Sequence, residues 1–174
     1  LDAVNVGGQP VRFISKREFL KDIALTKLRS QLTDTLYSYR ASRTYVEPYQ
    51  FKPGLKFLES RNQRMLLADE VGLGKTIEAG IIYLELKARV DLQRALIVCP
   101  SGLRQKWRDE MLDRFDEEFA VMDSTDFIEF LDRFERYGGE GRLRAILSLE
   151  SIRRQPVQTR IDEVGLHLDF TVVD

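Results

Sequence analysis

The sequence has one cysteine, one histidine, one tryptophan and five prolines in 174 residues. A single cysteine, Cys99, closes no intramolecular disulfide, so covalent stapling is excluded and a reducing, cytosolic compartment is expected. The lone His167 has no cysteine or histidine partner at metal-ligand spacing, which argues against a zinc site. No run of about 18 apolar residues is present, so no membrane partner is expected, and the opening residues do not read as a signal peptide. Net charge is nearly absent too: 27 Lys and Arg stand against 28 Asp and Glu, leaving −1. Internal repeats and low-complexity stretches are missing.

What is present suits one domain. The chain is 43% apolar and 10% aromatic, and a domain of this size buries roughly 70% of its unfolded surface. Charge is segregated even though it cancels in sum. Residues 1–64 hold 12 basic and 6 acidic side chains, residues 109–141 hold 3 and 12, and residues 142–160 hold five arginines against Glu150 alone.

The first dozen residues, with Gly7-Gly8 and Pro10, read as a turn between short strands. Ser15 and Glu18 form a capping box for a helix carrying Leu25, Leu28, Leu32, Leu36 and Tyr39 on one face. A second helix is expected over about 50–59, with Pro53 in its first turn. From Met65 onward the pattern becomes strand, loop, helix, repeated. Met65-Leu66-Leu67-Ala68 reads as a strand. Ile77, Ile81, Leu84 and Ala88 mark one face of the next helix, widened by Ile82 and Leu86. Ala95 to Cys99 is apolar without interruption, as in a strand covered on both faces. Ser101 reads as a helix cap, ahead of Leu103, Trp107, Met111 and Phe115 at i+4 steps. Trp107 is thus placed in the core. Phe119 to Met122 reads as a strand, and Phe127, Phe130, Leu131 and Phe134 as an amphipathic helix. Further strands are expected at 143–147 and 170–173. Such alternation predicts an α/β fold, a mostly parallel sheet with helices on both faces. Ligands in such sheets lie at the carboxyl ends of the strands.

The strongest chemical signal is Asp69-Glu70-Val71-Gly72-Leu73-Gly74-Lys75-Thr76. It follows an expected strand and precedes an expected helix, the context a phosphate loop requires. Gly72 and Gly74 let the backbone curl until successive N–H groups face inward, a nest for anions. The helix start adds its positive end. Lys75 supplies a point charge for the β- and γ-phosphates, and the Thr76 hydroxyl suits Mg2+. Asp69 stands where the general pattern has its first glycine.

Leu66 to Gly80 closely resembles motif I of the Swi/Snf-type ATPases of helicase superfamily 2, with Val71 and Ile77-Glu78-Ala79-Gly80 most like the bacterial RapA/HepA-like branch. Other segments resemble that family in order. Pro48-Tyr49-Gln50 is similar to its Q-motif, residues 99–110 to motif Ia, residues 148–154 to motif Ib, and residues 170–174 to the strand entering motif II.

The resemblance, over about residues 45–174, implies the first RecA-like lobe of a motor. The fold implied is a three-layer P-loop domain with a helical accessory segment, residues 1–44, ahead of it. ATP would contact Gln50, which reads adenine, and the loop residues Val71, Gly72, Leu73, Gly74, Lys75, Thr76 and Ile77. Lys75 and Asp174 would be catalytic, with Thr76 and Asp174 as the Mg2+ ligands. Ser101, Ser148, Arg153 and Arg154 would hold phosphates of double-stranded DNA, without reading bases. A second RecA-like lobe, expected beyond this chain, would supply arginine fingers, and RNA polymerase or another protein–DNA complex is an expected partner. The chain, opening on Leu1 and ending on Asp174, reads as a piece cut at motif II, inactive alone. Two other readings are a nucleotide-binding switch or assembly module with little motor activity, and an RNA-directed helicase, against which the form of motif I argues.

Overall fold

The computed structural model describes residues 5–6, 9–10, 43, 47–60, 62–68, 70 and 72–174. The chain divides into two compact units, Leu1–Thr35 and Leu36–Asp174. In the first, β1 (Asn5–Val6) pairs antiparallel with β2 (Gln9–Pro10), two short strands as expected. The helix expected from Ser15, and the rest of the accessory segment, lie outside the described residues.

The second unit opens with a 3-10 turn, Pro48–Gln50, that runs into α1 (Phe51–Glu59). Pro53 is the third helical residue, where its missing N–H would have had no intrahelical acceptor. Next come α2 (Lys75–Arg89), β3 (Arg94–Cys99), α3 (Arg104–Phe115), β4 (Ala120–Val121), α4 (Ser124–Arg136), β5 (Leu143–Ser148), α5 (Leu149–Ile152), α6 (Gln155–Val164) and β6 (Phe170–Val173). The four long-range strands form one parallel sheet in the order β4-β5-β3-β6.

Strand alternation divides the core into two layers. Ala95, Ile97, Cys99 and Ile146 face the layer of α2 and α3, meeting Ile81, Tyr83, Trp107, Met111 and Phe115. Leu96, Val98, Ala145 and Leu147 face the other way, onto Phe127 and Leu131 of α4 and Val157 of α6. The result is helix, sheet, helix: the three-layer α/β architecture read from the alternating pattern.

Local chemistry sets the helix ends. At the start of α4, Asp123 Oδ1 accepts from the N–H groups of Thr125 and Asp126 (2.7 and 3.0 Å), and Asp126 Oδ2 accepts the Asp123 N–H. These backbone donors hold the Asp123 carboxyl below its ordinary range. Helix α6, which the periodicity did not reveal, has Pro156 in its first turn and Gly165 at φ 62° past its end. Its signal was that proline–glycine pair around Val157, Ile161 and Val164 at i, i+4 and i+7.

A buried carboxylate, Glu117, ties α2 to β5. It accepts from the Tyr83 hydroxyl at 3.3 Å, pairs with Arg144 at 3.0 Å, and pairs with Lys87. Burial, followed by the nearby Glu117 charge, pushes the Tyr83 phenol up to about 12.

Four expectations are corrected. Residues 65–68 form no strand, and Leu66 is 87% exposed. No described strand pairs with this segment, although β6 is an edge strand bonded only to β3. Ala88 is exposed, because α2 is buried along 78–86 and again at Arg89. Ser101 makes no cap: it opens a 3-10 turn, Ser101–Leu103, and neither this turn nor α3 has a side-chain cap. Leu103 is 37% exposed, outside the face continued by Trp107, Met111 and Phe115.

Candidate functional site

Between residues 70 and 76 the backbone makes the turn that the two glycines permit. Gly72 and Gly74 sit at φ 94° and 92°, left-handed values that L side chains adopt only with strain. Gly74 is also the residue ahead of the first turn of α2, and no side chain caps that turn. The helix end carries partial positive charge. Leu73 N–H bonds Glu70 O at 3.4 Å, and Ile77 N–H and Glu78 N–H bond Gly74 O at 2.8 and 3.1 Å. The Lys75 ammonium spans the loop and donates to Glu70 O at 3.2 Å. Thr76 follows in the first turn, half-buried. Val71 lies outside the described residues.

Helix α2 returns to β3 through residues 90–93 only. A 15-residue helix is about 22 Å long at 1.5 Å per residue. Packed on the sheet and joined at its far end, it runs back toward the carboxyl edge of the strands, carrying the glycine turn with it.

Gln50 is 4% exposed and tied on both sides. Its Oε1 accepts the Glu47 N–H at 3.0 Å, and its Nε2 donates to Leu73 O at 3.0 Å. The Tyr49 hydroxyl donates to the same carbonyl at 3.1 Å. The Q-motif-like segment therefore holds the phosphate loop directly, which sequence reasoning did not anticipate. A Cβ on Gly74 would lie 2.4 Å from Gln50 Nε2, so the glycine serves both the turn and this close approach.

The second half of the site lies at the carboxyl edge of β3, β5 and β6. Asp174 follows β6, and its N–H bonds Val98 O at 2.9 Å. Its Oδ2 accepts the indole N–H of Trp107 at 2.9 Å. The Cys99 thiol beside it is buried and pushed up to about 11, by burial first and by the Asp174 charge second. It is therefore an inert core thiol at neutral pH. Ser101 is exposed. Ser148, ending β5, is 4% exposed; its Oγ accepts the Ser151 N–H and donates to Ser151 Oγ, both at 3.0 Å. Its hydroxyl thus caps α5. The Glu150 carboxyl is held below its usual range, by its own backbone N–H and then by the Ser148 hydroxyl.

The arginine stretch divides. Arg160 pairs with Asp132 at 2.7 Å and with Glu135 of α4, and Arg144 pairs with Glu117. Arg142 donates to Gln93 Oε1 at 2.9 Å. Arg153 and Arg154 are exposed and form no ion pair among the described residues; Arg154 donates to Ser124 Oγ at 3.1 Å. Arg154 thus reaches the start of α4 and lies close enough to Asp123 for its charge to help lower that carboxyl, without forming an ion pair.

A glycine turn feeding an uncapped helix start on a parallel three-layer sheet defines a nucleotide-binding lobe of the RecA-like class. Residues 49–122 match the SNF2-related domain. The chain is 34% identical over 147 residues to the RNA polymerase-associated protein RapA of Haemophilus influenzae, covering 84% of this chain and 16% of that protein. It is 38% identical over 109 residues to RapA of Pasteurella multocida, covering 63% and 11%. The fold is similar to the Sulfolobus solfataricus SWI2/SNF2 ATPase core in complex with dsDNA, with a TM-score of 0.52 at 18% identity, over 80% of this chain and 33% of that one. The chain belongs to the SNF2-related family, as a helicase-like first lobe. It spans only 11–16% of the length of these curated relatives.

The family uses nucleotide together with Mg2+, and the residues present fit that ion. Thr76 and Asp174 offer a hydroxyl and a carboxylate, hard oxygens of the kind Mg2+ takes, alongside phosphate and water. Asp174 is exposed, and only its Oδ2 is engaged by a described residue. The ion would supply positive charge beside the nucleotide's phosphates, which Lys75 and the loop amides would hold.

Proposed function

We propose that this chain is the ATP-binding lobe of a motor that moves on double-stranded DNA or remodels protein–DNA complexes. The observation that carries the reading is the pairing of two chemistries on one α/β lobe: an anion nest at the start of α2, and exposed arginines beside Ser148 at the sheet's carboxyl edge. Gln50 would turn from Leu73 O toward adenine, and Val71 to Ile77 would enclose the phosphates. Lys75 would balance charge on the γ-phosphate, and Asp174 with Thr76 would hold Mg2+. Ser101, Arg153 and Arg154 would grip one DNA strand by its phosphates; Ser148 supports that segment chiefly as the cap of α5. Contacts of this type position the duplex without reading its sequence. The names of the RapA relatives support RNA polymerase as a partner. A cytosolic, nucleoid-associated location is consistent with the lack, among the described residues, of a helix able to cross a membrane.

The test of the DNA face is a salt titration. Binding should be insensitive to sequence, with log affinity falling by ~0.9 per log salt for each phosphate neutralised. Replacing Arg153 and Arg154 by alanine in the full-length protein should flatten the slope by that amount for each phosphate no longer neutralised. DNA-stimulated ATPase should weaken, with basal nucleotide binding retained. Arg160→Ala, which breaks the pairs with Asp132 and Glu135, should instead lower the melting temperature and leave the slope alone. An unchanged slope in the double variant would remove the DNA face from residues 148–154.

Residues 1–174 alone should bind nucleotide weakly and turn over almost none. The resemblance assigns the arginine fingers to a second lobe, and such a group supplies ~10³–10⁵ in rate in related phosphoryl transfer. Multiple turnovers by the purified chain, followed by phosphate release, would contradict this.

A further inference from the structure

We propose that Trp107 is a positioning residue for the Asp174 carboxylate. The inference rests on the reading of Asp174 as a Mg2+ ligand, and adds a residue to that site which the motif pattern places in the core. Trp107 is indeed buried, 4% exposed, in the layer shared with Cys99, Met111 and Phe115. Yet its indole N–H is not lost in that core: it points to Asp174 Oδ2 at 2.9 Å across 67 residues of sequence.

The geometry constrains both partners. Helix α3 follows β3 after Pro100 and one 3-10 turn, which sets its first turns against the carboxyl edge of the sheet. Packing fixes the indole, because a ring this buried has little room to change rotamer. The Asp174 backbone is fixed as well, by its bond to Val98 O at 2.9 Å. Of the carboxylate oxygens, Oδ2 takes the indole N–H, and Oδ1 has no hydrogen bond from a described residue. A carboxylate alone at a strand end rotates between equivalent orientations and between one-oxygen and two-oxygen ligation. An indole N–H holding Oδ2 leaves Oδ1 as the ligating atom and sets the plane of the group. Mg2+ demands near-ideal octahedral angles, so an outer partner that selects one orientation raises affinity for the ion. Such partners are worth about 10–100-fold in metal affinity. Tryptophan is also a donor that never accepts and never titrates in the ordinary range.

A purely structural role for Trp107 predicts loss of stability on any change at this position and no particular effect on metal. The two are separated by replacing the N–H without changing the ring's volume. In the full-length protein, β-(3-benzothienyl)alanine at position 107 puts sulfur in place of the indole N–H, while 5-fluorotryptophan keeps the donor. Manganese binding in the presence of ATPγS, counted by electron paramagnetic resonance, gives a readout independent of turnover; the Mg2+ dependence of ATP hydrolysis gives a second. The benzothienyl variant is expected to bind manganese about tenfold more weakly and to need correspondingly more Mg2+, with its melting temperature and its ATP requirement at saturating Mg2+ unchanged. The fluorotryptophan variant should match the wild type. Equal metal affinity in the benzothienyl and wild-type proteins would overturn the positioning role and leave the nucleotide site standing. Absence of nucleotide-dependent manganese binding in the wild type itself would overturn both.

Discussion

Replacing Lys75 by alanine is expected to lower ATP turnover of the full-length protein by at least ~10²–10³-fold, the loss that follows removal of one preorganised donor from a charged transition state. Lys75 is the first residue of α2, directly after the left-handed Gly74. Its ammonium already crosses the loop to Glu70 O, so its stem has the reach to meet a phosphate oxygen lying over the nest. Ground-state binding should suffer less, by roughly 1.5–3 kcal/mol for a charge-assisted contact. The fold should survive, because Lys75 lies at a half-exposed helix start rather than in the core. Arginine at this position should not restore turnover: its planar fork cannot take the place of a compact ammonium inside a tight loop. Phosphate release and circular dichroism on the same preparations check both halves. Wild-type turnover by a folded Lys75→Ala protein would dismiss the phosphate-loop assignment, and with it the ATP-driven motor.

The glycine turn before α2 was legible because everything it needs is local. Gly72, Gly74, Lys75 and Thr76 are neighbours, and the conformations required follow from residue type. The apolar runs of β3 and β5 were legible for a similar reason, since a strand covered on both faces has no polar positions to alternate with. Segment 65–68 has the same apolar character, yet forms no strand, since pairing is a property of the neighbour and not of the segment. The roles of Trp107 and Gln50 were hidden by distance. Trp107 lies on a regular i+4 apolar face, and nothing in that spacing shows that its N–H finds Asp174. Gln50 meets Leu73, 23 residues on, by virtue of how α1 packs on α2. Charge segregation was visible, but its meaning was not. Arg144 and Arg160 form ion pairs with acidic groups of residues 109–141, while Arg153 and Arg154, in the same stretch, form none with a described residue. Arg160 finds its partners through the placement of α4 beside α6, and Arg144 reaches Glu117 from β5.

Gly80→Ala should destabilise the protein by about 1–3 kcal/mol, the range for forcing extra volume into a packed core. Helix propensity alone predicts the opposite sign, since alanine is favoured over an interior glycine by ~0.8–1 kcal/mol. Packing decides the sign here. A Cβ on Gly80 would stand 2.1 Å from Phe115 Cε2, 2.4 Å from Cζ and 2.8 Å from Cδ2. Phe115 is 2% exposed and packs in the same cluster as Met111, Trp107 and Phe119, so its ring cannot swing clear without moving α3. Glycine at this position is therefore what lets α2 and α3 approach, and it sits one turn and a half beyond Lys75. In a protein of this length the loss corresponds to roughly 2–4 °C of melting temperature per kcal/mol. Phe115→Leu, harmful alone because it opens a cavity, should recover part of the loss when combined with Gly80→Ala. The two changes should be non-additive by ~0.5–3 kcal/mol, as side chains in direct contact are. Urea melts of the two single variants and the double variant measure that coupling. A Gly80→Ala protein as stable as the wild type, or additive changes in the double variant, would show that α2 and α3 do not meet at this contact.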